Sequence, residues 1–108
     1  MAAQELRQSH QTDTNGNPAG GSTVSMGMSI IWQRGPLRTA EGEERAPNGC
    51  FVETVIAAAA GRLEYYQGTK FACGENVEAI EHLQRAMEAL ERRTASRVAR
   101  EVEGTHEV

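Results

Sequence analysis

The sequence predicts an α+β fold, in which short N-terminal antiparallel strands precede an antiparallel hairpin of two helices, assembled as an oligomer. Apolar residues alternate after position 23, and two later segments have helical spacing with a short connection between them. The core is expected to be thin, because the 108 residues include 15 Ala but only 18 Leu, Ile, Val and Phe. We therefore expect another subunit or a ligand to complete the burial of apolar surface.

The N-terminal part is predicted to change character at residue 22. Residues 1–22 are polar and have almost no large apolar side chain, which predicts a flexible tail. Residues 23–33 alternate apolar and small residues with a period of two, as a strand does. The residues at 37–39 predict a short second strand, and the polar residues 40–49 predict a loop. Residues 23–108 are thus expected to form one strand-plus-hairpin domain.

Two amphipathic segments predict the helical hairpin. The first covers residues 50–67, with Gly68 as its C-cap, and the second covers residues 73–100. The second helix is longer by roughly ten residues, or about 15 Å, so its last turns should extend beyond the first helix. The apolar stripes consist of Phe51, Val55, Ala59, Leu63 and Tyr66 in the first helix, and of Val77, Ile80, Leu83, Met87 and Leu90 in the second.

Several classes of protein are disfavoured. No apolar stretch approaches the length of a membrane span and no hydrophobic signal region is present, so we expect a cytosolic protein without a membrane partner. The net charge of −4 disfavours a partner that is a nucleic acid polymer. Cys50 and Cys73 have no metal-binding spacing, and we expect both to be free, small, buried side chains.

A run of arginines is the strongest local signal. Residues 92–100 carry four arginines and no acid, and Arg93, Arg97 and Arg100 follow at helical spacing on one face. The planar guanidinium bonds two phosphate oxygens at once, so this face suits an anionic ligand with more than one phosphate. Alternatively, the arginines only complement the negative end of the helix dipole.

Three other features are candidate ligand contacts. Tyr66 follows Tyr65, so one ring should lie near a surface, where it could stack on a purine or serve in packing. Asn76 could read a base edge or a ribose, or bond the backbone near the helix start. The turn formed by Gly104, Thr105 and His106 could offer N–H groups and a hydroxyl to an anion, or could be a frayed terminus.

No catalytic set, metal site or cofactor-binding motif emerges from the sequence. The chain has no Ser/His/Asp or Cys/His arrangement and no phosphate-binding glycine loop. A binding protein therefore fits the residues better than an enzyme. Four acids are expected to form the solvated side of the second helix: Glu78, Glu81, Glu88 and Glu91.

Four stretches resemble a phage-encoded family of small helical-hairpin proteins, the anti-CBASS and anti-Thoeris sponges. They read I-I-W-Q-R-G-P-L, then N-G-C, then R-L-E-Y-Y-Q-G-T-K-F-A-C-G-E-N-V-E-A-I, then A-L-E-R-R-T-A-S-R-V-A-R-E-V-E-G-T-H. The resemblance covers roughly residues 29–107 and is closer to the anti-Thoeris branch, which has a strand before the hairpin. It implies a non-enzymatic protein that sequesters cyclic nucleotide immune signals in the cytoplasm of the infected bacterial host.

The resemblance also implies ligands, an assembly and some site residues. The ligands would be cyclic ADP-ribose isomers, cyclic dinucleotides or cyclic trinucleotides, and the assembly a dimer or a hexamer built as a trimer of dimers. Tyr66 matches an aromatic position that stacks on a base, Asn76 an amide that touches the ligand, and Arg93 an arginine that engages phosphate. Gly74 and Glu101 depart from the pattern. The alternative function is a structural or adaptor hairpin that binds a protein partner.

Overall fold

A computed structural model describes residues 4–39, 41–100 and 102–108. In chain order the elements are β1 (Arg7–Thr12), β2 (Pro18–Ser25), β3 (Met28–Ile31), α1 (Val52–Gln67) and α2 (Gly74–Ala99). The chain forms two compact units, one made of residues 1–51 and 102–108 and the other of residues 52–101. The predicted α+β class, with antiparallel strands before two helices, is confirmed.

The first unit contains an antiparallel sheet in the order β1-β2-β3. The structure differs here from the predicted flexible tail, because β1 and the start of β2 lie within residues 1–22. Asp13 nucleates the turn between them: its carboxylate accepts hydrogen bonds from the N–H groups of Asn15 at 2.8 Å and Asn17 at 3.0 Å. Gly16 supplies the positive φ of 81° in this turn. The side chains of β1 are all exposed, so the strand needs no apolar residues. Backbone hydrogen bonds to β2 order it instead.

The predicted single strand over residues 23–33 is a β-hairpin instead. Ser25 pairs with Met28, so Met26 and Gly27 form a two-residue turn, in which Gly27 has a φ of 76°. The second strand predicted at 37–39 is reduced to one isolated bridge between Arg38 and Glu44. The alternation continued through the turn, which is why the sequence pattern alone did not reveal it.

A buried threonine in β2 links β1 to the residue that follows β3. Thr23 exposes 4% of its surface, and its hydroxyl accepts a hydrogen bond from Trp32 Nε1 at 2.9 Å. The same hydroxyl donates to Gln8 Oε1 at 3.1 Å. This relay joins β1, β2 and the residue that follows β3, so the sheet is fixed by polar bonds as much as by apolar packing.

The second unit is the helical hairpin, and its bounds agree with the predicted ones within about two residues. α2 has 26 residues and α1 has 16, which confirms that α2 is the longer helix by ten. Within the described ranges, Ala60 is the one buried apolar residue, so the expected thin core is also confirmed. Neither helix is long and apolar enough to cross a membrane, as far as the described residues show.

Candidate functional site

The motifs around residues 31–50 build a rigid frame before α1. The Asn48 carboxamide accepts a hydrogen bond from the Arg34 N–H at 2.8 Å and donates to the Arg34 carbonyl at 2.9 Å. A Cβ on Gly49 would overlap the Trp32 carbonyl, so only glycine permits this approach. Cys50 then donates its N–H to the Ile31 carbonyl at 2.7 Å. The I-I-W-Q-R and N-G-C motifs therefore contact each other and stabilise the chain just before α1.

The connection between the two helices is closed by Gln67, the last residue of α1. Gln67 Oε1 accepts a hydrogen bond from the Cys73 N–H at 3.1 Å, and Gln67 Nε2 donates to the Cys73 carbonyl at 3.2 Å. Cys73 is the N-cap of α2, and its own side chain makes no capping bond. Gln67 thus satisfies one of the backbone donors that a helix start leaves open. Sequence reasoning gave Gln67 no role, although it directly follows the two tyrosines.

Asn76 belongs to the same connection. Its Nδ2 donates to Gln67 Oε1 at 3.0 Å and to the Phe71 carbonyl at 3.3 Å. Because the Cys73 N–H can only donate, the Gln67 atom beside it must be oxygen, and the Asn76 atom facing that oxygen must be nitrogen. Both N–H groups of Asn76 Nδ2 therefore bond within the helix connection. Its Oδ1 remains able to accept a hydrogen bond from another molecule.

Tyr66 lies one residue before the end of α1 and joins the same cluster. Its carbonyl accepts hydrogen bonds from the Thr69 N–H at 2.9 Å and the Thr69 hydroxyl at 2.6 Å. Its own hydroxyl accepts a bond from Arg62 Nε at 3.2 Å. Tyr65 exposes 60% of its surface whereas Tyr66 is half-buried, which confirms that one of the two rings lies at the surface. We call Arg62, Tyr66, Gln67 and Asn76 the tip cluster.

The arginines lie at the other end of α2. Arg93 stands seventeen positions after Asn76 on α2, a rise of about 25 Å at 1.5 Å per residue. Arg93 is exposed, and within the described part of the chain its side chain makes no hydrogen bond or ion pair. Arg97 exposes 8% of its surface and already makes contacts within the chain. Arg100 follows the last helical residue, and its Nε donates to the Ser96 carbonyl at 3.4 Å.

The predicted turn at the C-terminal end is ordered rather than frayed. Gly104, with a φ of 82°, accepts a hydrogen bond on its carbonyl from the Arg38 N–H at 2.8 Å. The Thr105 hydroxyl donates to the Val102 carbonyl and accepts from the Glu107 N–H at 3.2 Å. This hydroxyl therefore serves the turn itself. His106 is exposed, and Glu101 lies outside the described residues.

The remaining sequence predictions have mixed outcomes. Both cysteines are free, but Cys73 is exposed rather than buried because it sits at the helix start, while Cys50 is half-buried. The four acids of α2 are all exposed, as predicted: Glu78, Glu81, Glu88 and Glu91. Residues 4–39, 41–100 and 102–108 contain no group of three or more His, Cys, Asp or Glu side chains able to hold a metal ion.

These features define a small helical-hairpin protein with a polar and aromatic cluster at one end of α2 and cationic side chains at the other. The family model "Acb2/Tad1, hairpin domain" matches residues 32–95, more than half of the chain. The chain belongs to this family. It is also 42% identical over 79 residues to "Thoeris anti-defense 1" of Bacillus phage SBSphiJ7. This match covers 73% of the chain and 52% of the relative, so the chain spans about half of the relative's length.

Proposed function

We propose that this protein binds cyclic nucleotide immune signals and sequesters them without cleavage, so that a phage evades Thoeris or CBASS defence in the cytoplasm of its bacterial host. The family membership and the name of the relative support an anti-defence role. The observation that carries the ligand class is the pairing of an ordered aromatic and amide cluster, at the junction of α1 and α2, with an exposed Arg93 further along α2. A nucleotide offers both a base to stack and a phosphate to bond.

The distance between the two ends of α2 bears on how a site is assembled. The rise of about 25 Å along α2 from Asn76 to Arg93 is longer than we expect one cyclic dinucleotide to bridge, so we propose that Tyr66 and Arg93 of the same chain serve different sites. We therefore propose a homo-oligomer, a dimer or a hexamer built as a trimer of dimers, in which the tip cluster of one chain meets Arg93 of another. An oligomer also supplies the burial that the thin core lacks.

The hydrogen bonds of Asn76 limit how its side chain can contact a ligand. Because its Nδ2 is committed to Gln67 and Phe71, it can contact a ligand only by accepting a hydrogen bond on Oδ1. We propose that this oxygen reads a donor on the ligand, such as an exocyclic amine or a ribose hydroxyl. An analogue in which that donor is methylated or removed should bind more weakly. Equal affinity for every such analogue would contradict this role of Asn76.

The decisive experiment is a calorimetric titration of the full chain with cyclic ADP-ribose, 3′,3′-cyclic GMP–AMP and cyclic triadenylate. Sequestration requires sub-micromolar affinity for at least one probe, or roughly 8 kcal/mol of binding free energy. The bound probe should be recovered intact, by chromatography, after the protein is denatured. Recovery of a linear or hydrolysed product would instead indicate an enzyme.

A protein-binding adaptor is the second candidate, and exposed apolar side chains on the hairpin favour it. Phe71, Val77 and Val98 expose 65%, 46% and 58% of their surfaces. Such side chains suit burial against a partner, although a second copy of this chain would also cover them. A melting assay separates the candidates, because an adaptor should show no thermal shift with any of the three probes.

A further inference from the structure

Arg62 belongs to the tip cluster, and the sequence pattern predicted no role for it. Its guanidinium carbon lies 4.8 Å from the centre of the Tyr65 ring and 4.9 Å from the centre of the Tyr66 ring. The two ring centres are 5.9 Å apart, with 55° between the ring planes. The guanidinium is therefore packed against both rings, and its Nε is bonded to the Tyr66 hydroxyl at 3.2 Å.

The spacing along α1 explains this arrangement. Tyr65 and Tyr66 stand three and four residues after Arg62, which are the positions that meet on one helix surface. The residues four and three positions before Arg62 are Ala58 and Ala59. No acid on α1 therefore stands where it could pair with Arg62. Within the described residues, the Arg62 side chain makes no ion pair and no hydrogen bond other than that to Tyr66.

Arg85 of α2 provides a contrast. It is also an exposed helical arginine, but Glu81 and Glu88 stand four residues before it and three after it. Their charges offset that of Arg85 in solution. Arg62 has no acid at these spacings, so the N–H donors of its two terminal nitrogens are not taken by a carboxylate while the guanidinium packs against two aromatic rings.

We propose that Arg62 is a further ligand-recognition residue, which holds Tyr66 in place and presents its terminal nitrogens to a phosphate of the nucleotide whose base stacks on Tyr66. The proposal rests on the proposed function and adds a cation at the tip cluster, separate from Arg93. Because the two ring centres are only 5.9 Å apart and the guanidinium packs against both rings, a base cannot insert between the tyrosines and must stack on an outer face. The Tyr66 hydroxyl accepts from Arg62, so its own proton remains available to a ligand acceptor.

The test compares Arg62→Gln, Arg62→Lys and the matched control Arg85→Gln by calorimetry with the three probes named above. We expect Arg62→Gln to weaken binding of the best probe by about tenfold or more, as for the loss of a charge-assisted bond. Its affinity should also depend less on salt concentration, because one screened charge is gone. Arg62→Lys should recover only part of the loss, since an ammonium lacks the planar fork. Arg85→Gln should change affinity less than about twofold.

Two results would overturn the role proposed for Arg62. Full affinity in Arg62→Gln, or in Arg62→Lys, would overturn the proposal, because it requires the charge and the stacked fork together. An equal loss in Arg85→Gln would also overturn it, since net charge alone would then explain the effect. Circular dichroism of the unliganded variants checks that the helices are intact. If the wild-type chain binds none of the probes, the proposed function itself fails, whereas wild-type binding with unaffected Arg62 variants rejects this inference alone.

Discussion

The two ends of α2 differ in how much of their chemistry is already satisfied by the chain itself. At the start of the helix, the Gln67 side chain accepts hydrogen bonds from Asn76 and from the backbone of the helix connection. The Tyr66 carbonyl accepts another from that connection. Near the other end, Arg93 is exposed and makes no such bond within the described residues. The difference teaches that the aromatic and amide part is ordered by the chain itself, whereas the Arg93 side chain has no partner within the described residues.

The largest expected effect comes from removing that cation. Arg93→Ala should weaken binding of the best cyclic nucleotide by about a hundredfold, since it removes a charge-assisted contact with phosphate. Its melting temperature without ligand should stay the same, because the Arg93 side chain makes no hydrogen bond or ion pair within the described residues. The matched control is Arg92→Ala, which removes the same charge from a neighbouring exposed position. Similar losses in both variants, measured by calorimetry, would show that Arg93 acts only through net charge.

Tyr66 should give the next largest effect. Tyr66→Ala removes a stacking surface and should weaken binding about tenfold or more. Tyr66→Phe keeps the ring but loses the hydroxyl that accepts the Arg62 bond, so its affinity should fall between those of wild type and Tyr66→Ala. If the Ala and Phe variants bind equally well, stacking on this ring is not part of recognition.

Gln67 should affect stability before it affects binding. Gln67→Ala removes both bonds to Cys73 and the acceptor for Asn76, and should lower the free energy of unfolding by about 1 kcal/mol. The midpoint of urea unfolding measures this loss. Gln67→Glu retains the acceptor oxygen and should lose less. A midpoint unchanged by Gln67→Ala would mean that the tip cluster does not order the helix connection.

Cys73 should give the smallest effect. It occupies the N-cap of α2 with extended backbone angles, φ −158° and ψ 163°, but offers no side-chain cap. Cys73→Ser supplies a hydroxyl that can accept a bond from the first turn, and should raise the free energy of unfolding by about 0.5 kcal/mol. A clear decrease in the urea midpoint would show that the thiol packs against something essential.

The sequence predicted the helical hairpin well because both apolar stripes are long and have helical spacing. It did not predict β1, since a strand with only exposed side chains leaves no apolar alternation to detect. The Asn15-Gly16 pair was the available signal, because this dipeptide favours tight hairpin turns. The β2–β3 turn was missed because Met26 continued the alternation.

The candidate site was predictable residue by residue but not in its arrangement. Tyr66 and Asn76 do lie in one cluster, yet sequence spacing could not show that Gln67 connects them. Nor could it show that Arg97 is buried while Arg93 is exposed, although both were placed on one helical face. Those differences depend on what packs around the helix, which a stripe pattern does not specify.

A site shared between two chains is the central claim, and mixed oligomers test it most directly. Tyr66→Ala and Arg93→Ala chains, each weak alone, are co-expressed with different tags and isolated as mixed assemblies. A site that takes Tyr66 from one chain and Arg93 from another is restored whenever the two unaltered residues meet. Calorimetry should therefore count about a quarter of the wild-type high-affinity sites in the unselected random mixture, and about half of them in a heterodimer purified by both tags. Mixed assemblies that bind no better than either variant alone would contradict the account.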